Sequence, residues 1–562
     1  MIGLSQVEGF VSTDTSTVGE RDTVSLSSLG QFSAHLALAF GLVFFLFAAK
    51  YYISVLVILL SRGEREERGE NPSSNGNYQC RHADKVLRHF NSHHNENSQQ
   101  HRKGEPFVSI HLPFYNEKNV AGRILEACSN LDYENYEVVV VDDSRDETIE
   151  ILKKWSRRRG PPVMKFVHRR DRQGFKGGAL SEALRHTDPR AAYVVVFDAD
   201  FMPPPDIIQH LLWYFEALDC QKERSLANDG NRGNCNNRLA DRVLRYFTKR
   251  SKRQNDQGSR EASIIEGIKA WHERRRIAAV QGYQFHCLNK DENWLTKGVR
   301  VEYSGSYMIE RVAEEFFGAM KMIAGSVFMV RADLLRRFGW STSLTEDWEL
   351  TIRLYLEGYK VVYTPLVQAA CEVPSTLQSL MRQRMRWAEG HTFAVKKYFW
   401  RVLDSPVISF REKLEFLYFG PYYLQSLFFL VGTFLWFLSE FIARQYPLGA
   451  YRYMPFWTEV WGWSVVFGNL VSLPLMGLTG LFMERSARRD FAGIFSFIAV
   501  SYVLAPFQAY ASLKGLLEKR EGTWFRTPKT GKITELILRV RLRKVFRWVL
   551  PGRRWARSKD EK

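Results

Sequence analysis

The sequence is poor in cysteine and has no paired cysteine motif. Its six cysteines are scattered along 562 residues, and no two of them are spaced as CxxC. This pattern excludes a disulfide framework and a cysteine-based zinc site, and it indicates free thiols in a reducing compartment. Hydrophobic residues make up 45% of the chain and aromatic residues 14%, which excludes a wholly disordered protein.

Long apolar runs are few, and the mean hydropathy is slightly polar, so the chain is not a membrane bundle throughout. One run, at 33–60, is long enough to span a bilayer. Arg62, Arg65 and Arg68 follow it closely, whereas a single arginine precedes it. The positive-inside rule therefore predicts that residues 1–32 lie outside the cytoplasm and that the chain after the run lies inside.

Three further apolar segments come late in the chain, at Leu424–Phe441, Trp463–Met483 and Phe491–Leu513. We expect two membrane spans within 411–483. From Lys514 onwards the chain has 16 Lys/Arg and 5 Asp/Glu, and so basic a tail is expected to stay in the cytoplasm. We therefore predict that 491–520 lies in the membrane interface or re-enters; the alternative is a plain third span with an external tail.

Three polar or basic stretches lie between or after the apolar segments. Residues 61–105 are predicted to be a polar linker, and 221–263 a polar insertion. Residues 533–562 alternate basic and apolar side chains at helical spacing, which predicts an amphipathic helix lying on an anionic membrane surface. Nucleic-acid binding is the less favoured interpretation of that charge, because membrane segments adjoin it.

Between the first two polar stretches, apolar β-branched runs alternate with helix-like segments. The predicted strands are Phe107–Leu112, Glu137–Val141, Met164–His168 and Ala192–Phe197. The predicted helices are Lys118–Asn130, Asp146–Arg158 and Phe175–His186. This alternation predicts an α/β fold with a parallel sheet covered on both faces. Ligands bind such sheets beyond the carboxyl ends of the strands.

Acidic turns follow three of these strands. They are Tyr115-Asn116-Glu117, the pair Asp142 and Asp143, and Asp198-Ala199-Asp200. One such turn is weak evidence, since Asp often caps a helix. Three at one edge of a sheet repel one another unless cations compensate. Asp198 and Asp200 suit Mg²⁺ or Mn²⁺, which commonly link one or two carboxylates to substrate phosphates.

Three more motifs contain candidate functional residues. A glycine-rich run around Lys176 offers backbone N–H groups and one positive charge to an anion. Thr345-Glu346-Asp347 precedes a helical segment, and Gln383-Arg384-Met385-Arg386-Trp387 comes ahead of the later apolar segments. Taken alone, Arg386 and Trp387 are typical of an anchor at the membrane interface.

Together these motifs resemble the processive, membrane-embedded family 2 glycosyltransferases, which include cellulose synthases and the cellulose-synthase-like mannan and glucan synthases. The shared pattern of Asp, DxD, TED and QxxRW stands here in the expected order, from Asp143 to Trp387. The segment 521–532 resembles the family's gating loop, although Arg526 replaces a valine. The resemblance implies a GT-A-type, Rossmann-like mixed-sheet domain at 106–400, fused to transmembrane and interfacial helices.

The resemblance also implies roles for single residues. The nucleotide sugar would be bound by Tyr115, Glu117, Asp142, Asp143, Lys176, Asp198, Gln383 and Arg386. The metal would be held by Asp198 and Asp200. The catalytic motif would be Thr345, Glu346 and Asp347, with Asp347 as the general base. The acceptor would meet Trp387, Gly325 and Ser326. The gating loop would contribute Trp524, Thr527 and Lys529.

The implied activity is that of an inverting hexosyltransferase, dependent on Mg²⁺ or Mn²⁺, which extends a β-glucan or β-mannan and passes it across a membrane. We expect UDP-glucose or GDP-mannose as donor, the growing polysaccharide and the lipid bilayer as partners, no nucleic acid, and a homo-oligomer or accessory subunits. The catalytic domain is expected to be cytosolic, at the plasma membrane or, in a eukaryote, the Golgi. A non-processive transferase acting on a lipid is the alternative. An inactive scaffold is disfavoured because every acidic motif is present.

Overall fold

The computed structural model describes residues 15–66, 105–158, 160–215, 277–445, 462–522 and 524–534. Most of the predicted linker at 61–105, the whole insertion at 221–263 and almost all of the predicted C-terminal helix at 533–562 lie outside these residues.

A seven-stranded mixed sheet forms the centre of the domain that follows the first helix. Its strands are β1 Phe107–Phe114, β2 Tyr136–Asp142, β3 Val163–His168, β4 Ala191–Val196, β5 Ile277–His286, β6 Phe328–Arg331 and β7 Lys360–Cys371. Their order across the sheet is β3-β2-β1-β4-β6-β5-β7. The first four strands are mutually parallel, as predicted, whereas β6 runs antiparallel to both of its neighbours. The sheet is therefore mixed, as the family resemblance implied.

Helices cover both faces of this sheet. They are α2 Ala121–Ser129, α3 Thr148–Ser156, α4 Phe175–His186, α5 Trp294–Gly305, α6 Arg311–Phe317, α7 Ala332–Phe338 and α8 Glu346–Leu356. Strand β2 is buried along its whole length, and its alternate residues enter two different cores. Val138 and Val140 pack with β1 and α2, while Val139 and Val141 pack against α4. Burial on both faces explains why this strand is a continuous apolar run.

Seven helices complete the described chain. They are α1 Thr15–Glu66, which precedes the sheet, and α9 Leu377–Asp404, α10 Phe410–Phe419, α11 Leu424–Gln445, α12 Gly462–Met483, α13 Ala487–Asp490 and α14 Gly493–Leu517, which follow it. Three segments are long and apolar enough to cross a membrane: Ser28–Leu60, Leu424–Ile442 and Gly493–Leu517. In α12 the apolar segment is shorter, Phe467–Met483, and Pro474 lies inside the helix.

Both ends of α14 are attached to the sheet domain and to the α9 helix that extends it. Near its start, Ser496 Oγ donates to the Trp294 carbonyl at 2.6 Å. Near its end, Lys396 of α9 donates to the Leu516 carbonyl at 3.0 Å, and Gly515 lies so close to Glu389 that a Cβ would come within 2.5 Å of its carbonyl oxygen. The prediction that 491–520 lies in the interface stays a prediction, although this helix is also long enough to cross.

A buried group of charges ties α1 to the sheet domain. Lys50 Nζ lies 2.5 Å from a carboxylate oxygen of Glu415, and 3.8 Å from carboxylate oxygens of Glu310 and Glu314. Glu310 ends a short π-helix, Ser306–Glu310, that joins α5 to α6. Buried carboxylates need a counter-charge, and here a lysine of the membrane helix supplies it.

Candidate active site

One cavity of about 1360 Å³ runs from the carboxyl edge of the sheet to the helices that precede and follow the domain. At the sheet end it is lined by residues of all the predicted motifs. They are Tyr115, Glu117, Asp143, Lys176, Asp198, Asp200, Gly325, Thr345, Glu346, Asp347, Gln383, Arg386, Trp387, Trp524, Thr527 and Lys529. At the other end its walls come from α1, α11, α12 and α14. Motifs that lie more than 400 residues apart in the chain, such as those of Tyr115 and Lys529, therefore line one cavity.

Asp347 lies in the first turn of α8. Its Oδ1 accepts a hydrogen bond from the Trp348 backbone N–H at 2.8 Å, and a Cβ added at Gly325 would lie 3.0 Å from its Oδ2. Gly325 has φ +74, so only a glycine fits both the backbone and the space. Burial and the neighbouring Glu346 carboxylate raise the pKa of Asp347 to about 7, against the effect of Lys176. Such a carboxyl is suited to take up a proton near neutral pH.

Lys176 joins three of the motifs. Its Nζ lies 2.8 Å from Asp198 Oδ1 and 3.3 Å from Glu346 Oε1, and it donates to the Gly325 carbonyl at 2.8 Å. Burial alone would lower the pKa of this ammonium, but the surrounding carboxylates raise it. Lys176 is therefore a fixed positive charge at the centre of the acidic edge.

Asp200 is held from two sides. Its Oδ2 accepts from the Glu372 backbone N–H at 3.1 Å and from Lys529 Nζ at 2.7 Å. Asp198 is oriented through its backbone, because its N–H donates to Ser326 Oγ at 3.0 Å. Each carboxylate of the DxD turn thus has a lysine as its counter-charge, Lys176 for Asp198 and Lys529 for Asp200.

The described residues of the segment 518–534, which are 518–522 and 524–534, extend along the carboxyl edge of the sheet. Arg526 pairs with both carboxylate oxygens of Glu117 at 3.2 Å, and the Trp524 ring meets the Tyr115 ring edge-on at 6.1 Å between centroids. Burial raises the pKa of Glu117 to about 7, although Arg526 acts to lower it. The segment resembling a gating loop therefore contacts the turns predicted to bind the nucleotide.

Helix α9 brings Gln383, Arg386 and Trp387 to the opposite wall. Residues three or four apart in a helix share one face. Gln383 Oε1 and Arg386 Nε are buried atoms without a hydrogen-bond partner in the described part of the chain. Burial lowers the pKa of Arg386. Buried polar atoms are normally satisfied, and both residues line the cavity, so they are candidates to contact a ligand there.

Family models match two adjoining parts of the chain. The model described as "Glycosyl transferase family 2" matches residues 109–259, and the one described as "Glycosyl transferase family group 2" matches residues 260–482. The chain belongs to the family 2 glycosyltransferases. The family predicted from the motifs and the predicted class of enzyme, a hexosyltransferase, are confirmed.

Relatives of this glycosyltransferase include plant proteins. It is 25% identical over 462 residues to the probable glucomannan 4-beta-mannosyltransferase 6 of Oryza sativa subsp. japonica, covering 80% of this chain and 67% of that one. It is 25% identical over 449 residues to the probable glucomannan 4-beta-mannosyltransferase 14 of Arabidopsis thaliana, covering 77% and 69%. Among solved structures, the mannosyltransferase PcManGT from Pyrobaculum calidifontis, in complex with GDP-Man and Mn2+, aligns with 16% identity and a TM-score of 0.42, covering 88% of this chain and 100% of that one.

Two residues predicted to touch substrate do not line the cavity of the glycosyltransferase. Asp142 is buried, and its carboxylate accepts from the Ser144 backbone N–H and lies 2.8 Å from His168 Nδ1. Ser326 is also buried, with its hydroxyl bonded to the Asp198 backbone. These contacts orient the turns beside Asp142 and Ser326, and direct ligand binding by either residue stays a prediction.

The DxD turn offers only oxygen donors, which Mg²⁺ and Mn²⁺ prefer. Among the described residues no three His, Cys, Asp or Glu side chains group as metal ligands. Asp198 and Asp200 therefore fit an ion that takes its remaining ligands from a diphosphate and water. Lys176 and Lys529 form ion pairs with the same two carboxylates.

Sequence reasoning missed several residues that shape this site. Arg169 binds the Asp143 carboxylate through two nitrogens, with Nε at 2.6 Å. Glu372, at the end of β7, binds Arg123 and accepts from Thr530 of the 518–534 segment. Arg172 lines the cavity. The arginines stand in the same run as Lys176, so their proximity to that lysine was the available signal.

Proposed function

We propose that this glycosyltransferase adds hexosyl units from a nucleotide sugar to a growing β-linked polysaccharide and passes the product into the membrane-facing end of its cavity. The observation that carries this is the continuity of the cavity. Its acidic end contains Asp347 and the DxD turn, and its far end is walled by α1, α11, α12 and α14. A transferase that only modified a small soluble acceptor would not need such a passage.

The proposed reaction is a single in-line displacement. The Asp347 carboxylate removes the proton from the acceptor hydroxyl, whose oxygen attacks the anomeric carbon, and the nucleoside diphosphate leaves. Because there is one displacement, an α-linked donor gives a β-linked product. The raised pKa of Asp347 suits the proton transfer.

The other residues bind and orient. Arg386 has a buried Nε–H without a partner among the described residues, and its guanidinium would donate to the diphosphate, which guanidinium groups match well. The amide N–H of Gln383 would donate to the same oxygens. Lys176 adds charge on the other side. A bound Mg²⁺ or Mn²⁺ at Asp198 and Asp200 would supply neutralisation of the leaving diphosphate. Trp387 would give the acceptor sugar a flat apolar surface.

The proposal includes the arrangement in the membrane. Helices α1, α11 and α12 would cross, while α14 would lie along the interface. Two contacts support this: both ends of α14 bond to the sheet domain and α9, and the following segment returns to Asp200. A crossing α14 would carry Lys529 away from Asp200. The sheet domain and the basic tail would then both be cytosolic.

The product is proposed to be a β-mannan or a β-glucan, with GDP-mannose or UDP-glucose as donor. The names of the plant relatives favour the mannan. The test uses membranes containing the full chain, offered each donor with Mg²⁺ or Mn²⁺, followed by sizing and linkage analysis. A ladder of long β-linked chains is expected. A single addition to a lipid would instead support the non-processive alternative, and no release of nucleoside diphosphate would contradict both.

A further inference from the structure

Arg172 lies in the turn between β3 and α4, where three parts of the chain meet. Its guanidinium carbon lies 3.5 Å from the centroid of the Tyr115 ring and 4.3 Å from that of the Trp524 ring. The side chain is thus stacked between the turn after β1 and the 518–534 segment. It also lines the active-site cavity.

Arg172 differs from most cations around it in having no carboxylate partner in the described residues. Arg169 is paired with Asp143, Lys176 with Asp198, and Lys529 with Asp200. Arg172 has no such ion pair, and its Nε is a buried atom without a hydrogen-bond acceptor. Asp143 is close, but Arg169 already occupies both of its oxygens.

Arg386 is a second guanidinium that lines the same cavity and forms no ion pair with a carboxylate in the described residues; its Nη1 donates to the Phe525 carbonyl at 3.4 Å. Arg386 also stacks on Trp524, one of the two rings that Arg172 contacts. Its guanidinium carbon lies 4.7 Å from the centroid of that ring. Burial lowers the pKa of Arg172, and Arg169 and Arg386 lower it further by repulsion. Both side chains are partly buried, and an anion that pairs with both guanidinium groups would relieve the repulsion between them.

We propose that Arg172 is a donor-binding residue that pairs with the diphosphate of the nucleotide sugar together with Arg386. This rests on the proposed function. Because Arg172 also stacks on Trp524, the anion would bind where the 518–534 segment closes on the sheet. The binding of a nucleoside diphosphate and the position of that segment are thereby linked through one side chain.

The test measures equilibrium binding of GDP and UDP, and of guanosine and uridine, to the full-length protein in detergent by calorimetry. Arg172→Met keeps much of the length but removes the charge, and Arg172→Lys keeps the charge but loses the planar group. The matched control is Arg185→Met, since Arg185 is an exposed residue of α4 that pairs only with Glu182 in the described part of the chain.

The preferred diphosphate is expected to bind Arg172→Met about 10- to 100-fold more weakly, the scale of one charged hydrogen bond. Arg172→Lys should lie between Arg172→Met and the wild type, and Arg185→Met should match the wild type. Nucleoside binding should change less than threefold in every variant. Unchanged diphosphate binding in Arg172→Met overturns the inference, as does an equal loss of nucleoside and diphosphate, which would show that Arg172 only stacks.

If Arg172→Met does not fold, Arg172→Lys decides, because wild-type diphosphate affinity in that variant contradicts a role for the planar guanidinium. Failure of the proposed function gives a different result. In that case the wild-type protein would bind a diphosphate through Arg172 yet transfer no sugar from any donor.

Discussion

The two ends of the cavity are built from different chemistry. At the sheet end, carboxylates and cations pair within about 3 Å, as in Lys176 with Asp198 and Lys529 with Asp200. At the membrane end the walls include aromatic rings, among them Phe44, Phe428 and Trp436. Ion pairs fix charged groups in place, whereas rings offer broad contact with little directional bonding. The difference suits a donor that must be held still and a product that must move.

The largest expected effect is at the sheet end of the cavity, where the charged groups lie. Asp347→Asn removes the group that accepts the acceptor proton, so turnover should fall by about 10²- to 10⁴-fold, while the affinity for nucleoside diphosphate stays within threefold. Asp333→Asn is the matched control, since Asp333 occupies the same place in the first turn of α7 but is exposed. Turnover near the wild-type rate in Asp347→Asn would exclude this residue as the base.

The pH dependence should be the next largest effect. Because burial raises the pKa of Asp347 to about 7, the base is protonated and inactive below that pH and ionised above it. The ratio kcat/KM should fall about tenfold for each pH unit below 7. Steady-state assays from pH 5 to 8 check this, and a kcat/KM that stays constant down to pH 5 would contradict it.

A change at Arg386 tests how tightly the sheet end of the cavity binds the donor. Arg386→Met should raise the donor KM about 10- to 100-fold, the scale of a lost charged hydrogen bond, because its buried Nε has no partner among the described residues. The length of the product chains should change little. Arg401→Met is the control on the same helix, and equal effects of the two changes would argue against donor binding by Arg386.

Trp387 lines the cavity and packs against a buried cluster that includes Val500 and Leu504 of α14. The Arg384 guanidinium carbon lies 4.6 Å from the centroid of its ring. Trp387→Ala should shorten the product and lower turnover by roughly 2- to 10-fold, the scale of one aromatic contact, whereas Trp387→Phe should be milder. The donor KM should not move. Product sizing by gel filtration measures the change. Product of wild-type length from Trp387→Ala would show that Trp387 does not contact the acceptor.

The smallest effect is expected at the membrane end. Trp436→Leu should leave the donor KM and kcat within about twofold, because single surface changes usually cost little, yet shift the chain-length distribution. Sizing of the product in matched assays checks this. A large rise in donor KM would show that the membrane end of the cavity also contributes to donor binding.

The sequence predicted the parts of this site that local patterns record. The acidic turns directly follow their strands, so Asp143 and Asp198 could be placed at one edge of the sheet. The role of Asp347 beside them was implied only by the family resemblance. Strand β6 escaped prediction because four residues carry no periodic signal, and its reversed direction depends on pairing with β4 and β5. Asp142 and Ser326 stand beside residues that line the cavity, and their own burial could not be predicted from the sequence.

Long-range contacts were the least predictable. Arg172 meets Trp524 across more than 350 residues, and no spacing rule relates the two positions. The same holds for Glu117 with Arg526. Such pairs depend on how the last segment folds back over the sheet, which depends in turn on where α14 ends.

The attachment of Lys50 to three glutamates has a practical consequence for handling the protein. Cutting the chain to a soluble fragment beginning near residue 105 would remove the lysine and leave Glu310, Glu314 and Glu415 facing one another. Such a fragment would carry unshielded negative charge on the surface that the first helix normally covers. The amino-terminal helix is thus a counter-ion as well as an anchor, and purification strategies should keep it.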